Sequence, residues 1–376
     1  MTYATSATDS TAILQAALDE AAVAGAAYTL PAGEYRLLST GLGYSSNARI
    51  ILIGDLYNDH GPAVGTQYCL ANRTTKRLSN VTIEGRGGAF VGSSSYPAGA
   101  TRKGLGIVAT DGFTVTGVKT RGPLTGFGME VKHSTGGHLD GLVLLSGVNK
   151  PGADGLHFFG ACNTVAGSTI SVSSGDDALS FTHEFQDCFN ATMERITLSN
   201  LTLNSAAFSC IKFYTGLETG KSAIRNINLS NIKGRILQGP TGCPLMMQNN
   251  GAANGAVIEN IIIDNADLTF GTATTQDGPT AFLTGITNLH LTDVTLRGRR
   301  QGQFVVARRC KGLFITGEVW ETIPGSSASK MIQLEQCGNY TIDLVVRSAT
   351  GVRLGSIKAA NTGTDVGIKS LGITGA

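Results

Sequence analysis

The chain has 376 residues, with 29 Lys and Arg against 27 Asp and Glu, a net charge of +2. That balance, with only 15% charged residues, excludes a polybasic nucleic-acid binder or membrane-surface binder. Fifty glycines without a period of three exclude collagen, and 41% hydrophobic residues in short β-type runs exclude disorder.

The first residues, Met1 to Ser6, lack the basic and apolar regions of a signal peptide. The expectation is an extracellular or virion-associated protein that leaves the cell by another route, or whose signal is not part of this chain. Asp9 to Ala24 reads as a helix. Asp9 or Ser10 caps it, Gly25 ends it, and Ile13, Ala17, Leu18, Ala21 and Ala22 form an apolar face. Leu30-Pro31-Ala32-Gly33-Glu34-Tyr35 then turns into a strand. A short amphipathic helix at this place covers the open edge of a β stack. Residues 38–79 look irregular and predict a long insertion.

From about residue 80 one theme repeats: apolar–x–apolar, then Asn, Asp or Gly, then another apolar strand. Ile196-Thr197-Leu198-Ser199-Asn200-Leu201 and Ile227-Asn228-Leu229-Ser230-Asn231-Ile232 are two copies. The turn residues fall at 200, 231, 265, 293 and 317, steps of 31, 34, 28 and 24. Steps of this size without helical segments predict a solenoid. The reading is an all-β, single-domain right-handed parallel β-helix spanning 1–376, with roughly nine to eleven coils and an N-terminal capping helix. Asn and Asp at the corners suit left-handed turns and can stack as ladders. Residues 270–280 predict a surface loop.

Seven cysteines (69, 162, 188, 210, 243, 310 and 337) contain no CxxC, so they read as buried small apolar residues. No apolar run reaches the roughly 18–20 residues of a membrane span. No zinc spacing, P-loop, GxSxG elbow or GxGxxG after a strand is present, so no cofactor and no metal are expected.

Chemistry concentrates at Asp154, Asp176 and Asp177. The first two are 22 residues apart, about one coil, and each acidic site opens a short apolar run. Neighbouring coils lie about 4.8 Å apart, so the spacing stacks three carboxylates on one face. A Gly-Asp at a corner also serves as a plain turn signal. Two adjacent carboxylates repel, however, and a turn needs only one. Paired carboxylates suit glycoside hydrolysis, one as acid and one as base, with a gap of about 6.5–9.5 Å for inversion. His157 alternates with Leu156 and Phe158 and is a weaker candidate for the groove beside Asp154. Tyr214 and Trp320 read equally as stacking platforms for sugar rings or as packing residues. Arg297, Arg299, Arg300, Arg308 and Arg309 read as a solvated basic face or an anionic-glycan site.

These residues resemble a known family. Gly152-Ala153-Asp154-Gly155, Asn163-Thr164-Val165 and Gly175-Asp176-Asp177-Ala178-Leu179-Ser180-Phe181 are similar, in order and spacing, to motifs of glycoside hydrolase family 28, the polygalacturonases. Ser209-Cys210-Ile211-Lys212 and Met246-Met247-Gln248-Asn249 continue the likeness, which covers about residues 150–265, the expected active-site coils. Residues 9–37 resemble the opening of the pectate-lyase-like β-helix superfamily, shared by secreted enzymes and phage tailspikes. The resemblance implies Asp176 as general acid, Asp154 and Asp177 as the base pair that holds and deprotonates the attacking water, and Lys212 as a sugar contact, with Gln248 and Tyr214 beside it. The family's Gly-His-Gly coil has no counterpart, and His183 is the candidate to replace its histidine. Cys210 stands where the family has Arg and cannot bind a carboxylate bidentately. The implied substrate is therefore a polysaccharide other than plain polygalacturonate. A phage-type depolymerase is favoured, and the tailspike likeness allows a homotrimer. A lyase using Lys212 as base and a Ca²⁺ site at the Asp cluster, and a non-catalytic glycan-binding spike, are the other readings.

Overall fold

The computed structural model describes residues 9–59, 67–92, 101–146, 152–184, 186–237, 242–270, 279–298, 303–321, 331–363 and 367–373. The expected 270–280 loop lies mostly outside these residues, as do Arg299 and Arg300. The fold is the expected all-β parallel β-helix with one helix. The chain divides into two compact units, Met1–Ala178 and Leu179–Ala376.

In the first unit, short parallel strands stack rung upon rung. One sheet runs through Ala27–Leu30, Arg49–Leu52, Leu78–Gly85, Thr110–Thr116, Thr135–Asp140 and Asn163–Ser174. The other carries Leu42–Gly43, Gln67–Ala71, Arg102–Val108, Met129–Lys132 and Leu156–Phe159. The described residues of the 38–79 stretch, 38–59 and 67–79, show no long insertion. They form regular rungs instead. Arg49–Leu52 and Asp55–Asn58 bury only alternate residues of four-residue strands, too short for a period to show in the sequence.

The helix is Thr11–Val23. Leu14 and Leu18 are its buried apolar residues, one turn apart, while Ile13 is 55% exposed, which corrects the predicted face. Gln15 accepts the Gly43 N–H at 2.7 Å and donates to the Gly43 carbonyl at 3.0 Å. One side-chain amide thus pairs the open edge of the first rung, the capping role expected of this helix. Asp9, not Ser10, supplies the side-chain cap, accepting the N–H groups of Thr11 at 3.0 Å and Leu38 at 3.1 Å. Burial alone would raise its carboxyl, but hydrogen bonds from Thr11, Leu38 and Ser39 hold it down, at about 2. Asp9→Ala is expected to cost about 1 kcal/mol of stability, the usual worth of such a cap. An unchanged urea midpoint would show that the helix is held by packing alone.

The second unit has longer strands: Thr192–Ser205, Ala223–Ile236, Val257–Thr269, Ile286–Gly298, Lys311–Glu321 and Gly338–Arg347, all parallel. Facing strands are Leu179–His183, Ile211–Thr215, Leu245–Asn249, Ala281–Thr284, Val305–Arg308 and Ile332–Glu335. Arg353–Asn361 and Ile368–Leu371 close the stack antiparallel. Apolar side chains align in columns, Ile196–Ile227–Ile261–Leu289 beside Leu198–Leu229–Ile263–Leu291. Each is at most 1% exposed, and full burial of such a side chain is worth about 1.5–3 kcal/mol.

The predicted corner ladders form. Asn231 donates to Asn200 at 3.2 Å and Asn265 to Asn231 at 2.8 Å, all three left-handed with φ of 50–55°. Asp293 keeps that turn, with φ 52°, but Gly317 does not. Gly317 pairs with Val294 across a register shift and has φ 136°, which matches the short last step in the sequence. All seven cysteines are buried, as read from their spacing. Among the described residues no helix is long and apolar enough to cross a membrane.

Candidate active site

Asp154, Asp176 and Asp177 converge in the first unit. One carboxylate oxygen from each lies within 4.8 Å of the others. Backbone pairing between adjacent rungs creates this. Gly155 N–H donates to the Asp177 carbonyl and Leu156 N–H to the Ala178 carbonyl, both at 2.9 Å. Asp177 N–H in turn donates to Asp154 Oδ1 at 3.3 Å. Glycines make the close approach possible. A Cβ on Gly155 would collide with Val172 and the Ala178 carbonyl. Gly152 takes φ 75° and donates its N–H to Asp176 Oδ2.

The three carboxylates differ in environment. Asp177 is fully buried, Asp154 is 5% exposed, and Asp176 is half-buried. Three carboxylates this close repel one another. The oxygens are also close enough to surround a cation. A set of carboxylates alone singles out no metal.

His157 lies beside Asp154 as expected, its Nδ1 3.0 Å from Asp154 Oδ2. It is only 3% exposed and packs edge-on against Phe127 at 4.2 Å, so it is covered rather than open to a groove. Phe127 carries Lys103 on its ring, Nζ to centroid 4.0 Å. Lys103 pairs with Glu130 at 2.9 Å, and Tyr68 donates to the same carboxylate. Lys132 sits over Phe159 at 4.7 Å. Glu130 and His157 are register neighbours on adjoining strands.

The remaining predicted contacts belong to the second unit. Lys212, Tyr214 and Gln248 alternate outward from the apolar residues Ile211, Phe213 and Met247. Tyr214 and Gln248 are direct register partners. Lys212 Nζ is 3.8 Å from Glu184 and 5.5 Å from the Tyr214 ring. His183 is a correction. It shares its parity with buried Leu179 and Phe181 and has no exposed surface, so it is not presented to a ligand. Trp320 stacks on Arg297 at 4.2 Å rather than presenting that face to a sugar. Arg297 pairs with Asp267 and Arg308 with Glu335, which neutralises the expected basic face at both positions.

No protein-family profile and no curated protein matches the chain. Solved structures do match it. The PfbA surface adhesin of Streptococcus pneumoniae superimposes with a TM-score of 0.63 at 11% identity, over 99% of this chain and 96% of the adhesin. The tailspike protein of E. coli bacteriophage HK620, in complex with a pentasaccharide, gives 0.64 at 14% identity, over 89% of this chain and 63% of the tailspike. The A-module of a mannuronan C-5 epimerase from Azotobacter vinelandii gives 0.54 at 14% identity, over 92% of each chain. These likenesses show the parallel β-helix fold. The family-28 resemblance accordingly rests on the motif residues.

The sequence reading missed Lys103, Glu130 and Lys132. For Glu130 and Lys132 the signal was present in Met129-Glu130-Val131-Lys132, where charges alternate with apolar residues and so share the face away from the core. Burial, then the charge of Lys132, pushes the Lys103 ammonium down from 10.5 to about 7, with Asp154 pulling the other way. The folded state therefore holds this proton less tightly than the unfolded chain. Below about pH 7 both states are protonated and the cost of burying the charge is felt in full. Between about 7 and 10.5 unfolding takes up a proton, so stability rises with pH, by up to about 1.4 kcal/mol per unit. Denaturation at pH 7 and pH 9 should show this rise in the wild type and its loss in Lys103→Met. Equal slopes would refute it.

Proposed function

We propose that this protein hydrolyses the glycosidic bonds of a polysaccharide at the Asp154–Asp176–Asp177 cluster. The convergence of three motif carboxylates on adjacent rungs carries the reading. Asp176, the most accessible of them, protonates the leaving oxygen. Asp154 takes the proton of the attacking water, and the Asp177 N–H holds the Asp154 carboxylate in place. In the second unit, Lys212, Tyr214 and Gln248 are outward-facing groups able to hydrogen-bond or stack on a sugar. Cys210, fully buried, offers nothing to a uronate carboxylate, so the substrate is a polysaccharide other than plain polygalacturonate. A tailspike-type depolymerase acting outside the cell or on a virion fits this reading, and a homotrimer fits it as well.

Inversion follows from the family resemblance, and the near burial of Asp154 supports it. A nucleophile must bring its oxygen to about 3–3.5 Å from a sugar carbon, whereas a base needs only to reach a water. Incubation with a panel of polysaccharides, read by reducing ends and product mass, tests hydrolysis. Proton NMR of the first-formed anomer then separates inversion from retention. Glycan binding with no new reducing ends would mean a binding spike. Unsaturated products absorbing in the ultraviolet would mean a lyase.

A further inference from the structure

A second asparagine ladder runs along the long strands of the second unit. Asn260 donates to Asn226 at 3.3 Å and Asn288 to Asn260 at 3.0 Å, all three in left-handed turns with φ of 53–55°. It stops at Gly312, which takes the same turn at φ 68° and has no side chain to extend it. Two residues beyond each Asn, a side chain points away from the core. Asn228, Ile262 and His290 are register partners, each set between two buried residues. Ladder and column together line a groove of about 440 Å³. That volume lies in the range of small-molecule sites. Ile262 is 43% exposed there, and the His290 ring stands 5.5 Å from Phe314 on the next strand. Among the described residues, no Lys, Arg, Asp or Glu lines the groove.

From this geometry we infer that the groove is a non-catalytic binding site for a neutral glycan, laid along the ladder. It is built from other residues than the Asp154–Asp176–Asp177 cluster and does not depend on the hydrolase reading. Asn260 and Asn288 each spend one side-chain N–H on the ladder and keep a second, and Asn228 adds a further amide. These groups repeat at the rung spacing of about 4.8 Å, which suits a polymer whose hydroxyls also recur. A sugar ring carries hydroxyls on its rim and C–H groups on its face. The amides match the first, and Ile262 and His290 match the second. Other occupants fit less well. Nucleic acid needs basic residues to neutralise its phosphates, and none lines the groove. A peptide that adds to a sheet needs a free edge, whereas the strand Val257–Thr269 is paired on both sides.

Affinity electrophoresis of the full chain tests this, in gels containing dextran, galactomannan or polygalacturonate. The wild type is run beside Asp176→Asn, in which the matrix stays uncut. Retardation by a neutral polysaccharide is the expected result. Two variants in the Asp176→Asn background locate it. Asn260→Gly removes an amide and keeps the left-handed turn, and Ile262→Ser removes an exposed apolar contact. Each is expected to raise the apparent Kd about fivefold, the worth of one hydrogen bond or one such contact. Should Asn260→Gly lower the urea midpoint by breaking the ladder, Ile262→Ser is read alone. Retardation by none of the three, by polygalacturonate only, or equally in both variants and their parent overturns the groove, whether or not any glycan is cut. Sedimentation velocity adds one more outcome. A dimer that Ile262→Ser dissociates would make the groove a contact between two copies of the chain and overturn the glycan site. Binding that the variants weaken, with no new reducing ends from the wild type, leaves the groove standing and overturns the hydrolase reading alone.

Discussion

Asp176→Asn lowers kcat on a polysaccharide by about 10²–10⁴-fold, the usual contribution of a general acid, and leaves the fold intact. The fold should survive because Asp176 is half-buried and Asn retains the oxygen that accepts the Gly152 N–H. The chemistry should not, because an amide cannot deliver a proton to the departing oxygen. A second substrate sharpens the assignment. An aryl glycoside leaves as a stabilised phenolate and needs little protonation, so Asp176→Asn should lose far less on it. Asp154→Asn removes the base and should lose activity on both. Equal losses of the two variants on both substrates would exchange or dissolve the assigned roles. Full activity of Asp176→Asn on the polysaccharide would end the proposal for this cluster.

What the sequence revealed follows from where its signals are one-dimensional. Corner residues at Asn200, Asn231 and Asn265 are spaced by whole coils, so repeat length and ladder were both legible before any coordinates. The Asp154–Asp177 distance was legible for the same reason, since one coil in sequence is one rung in space. Burial was harder. His183 and His157 both lie on short strands of buried residues, and only counting parity from Leu179 and Phe181 shows that His183 points inward. The Lys103–Glu130–His157 cluster draws on three rungs and joins residues 27 apart or more, where no local pattern links them. Two-residue and four-residue strands such as Leu42–Gly43 and Arg49–Leu52 were invisible because they offer too few alternations to show a period.

Phe213→Ala is expected to be among the most destabilising single changes in the second unit, at about 3–5 kcal/mol. Phe213 has no exposed surface and stacks on Phe181 with centroids 4.6 Å apart and planes 15° apart. Its register partner on the next rung is Met247. Truncation therefore opens a cavity between two rungs that rigid backbone pairing keeps from collapsing, and it forfeits the ring–ring contact, worth about 0.5–1.5 kcal/mol more. By contrast, Asn231→Ala removes two ladder bonds that are exposed and pays in addition the strain of a left-handed turn, together about 1–3 kcal/mol. Urea denaturation of the two variants beside the wild type measures both. If Phe213→Ala costs less than Asn231→Ala, the corners rather than the stacked interior hold the coils in register. The predicted order has a functional corollary. Lys212 and Tyr214 flank Phe213 on the same strand, so loosening Phe213 should weaken glycan binding as well, through side chains it never touches directly on the ligand's side.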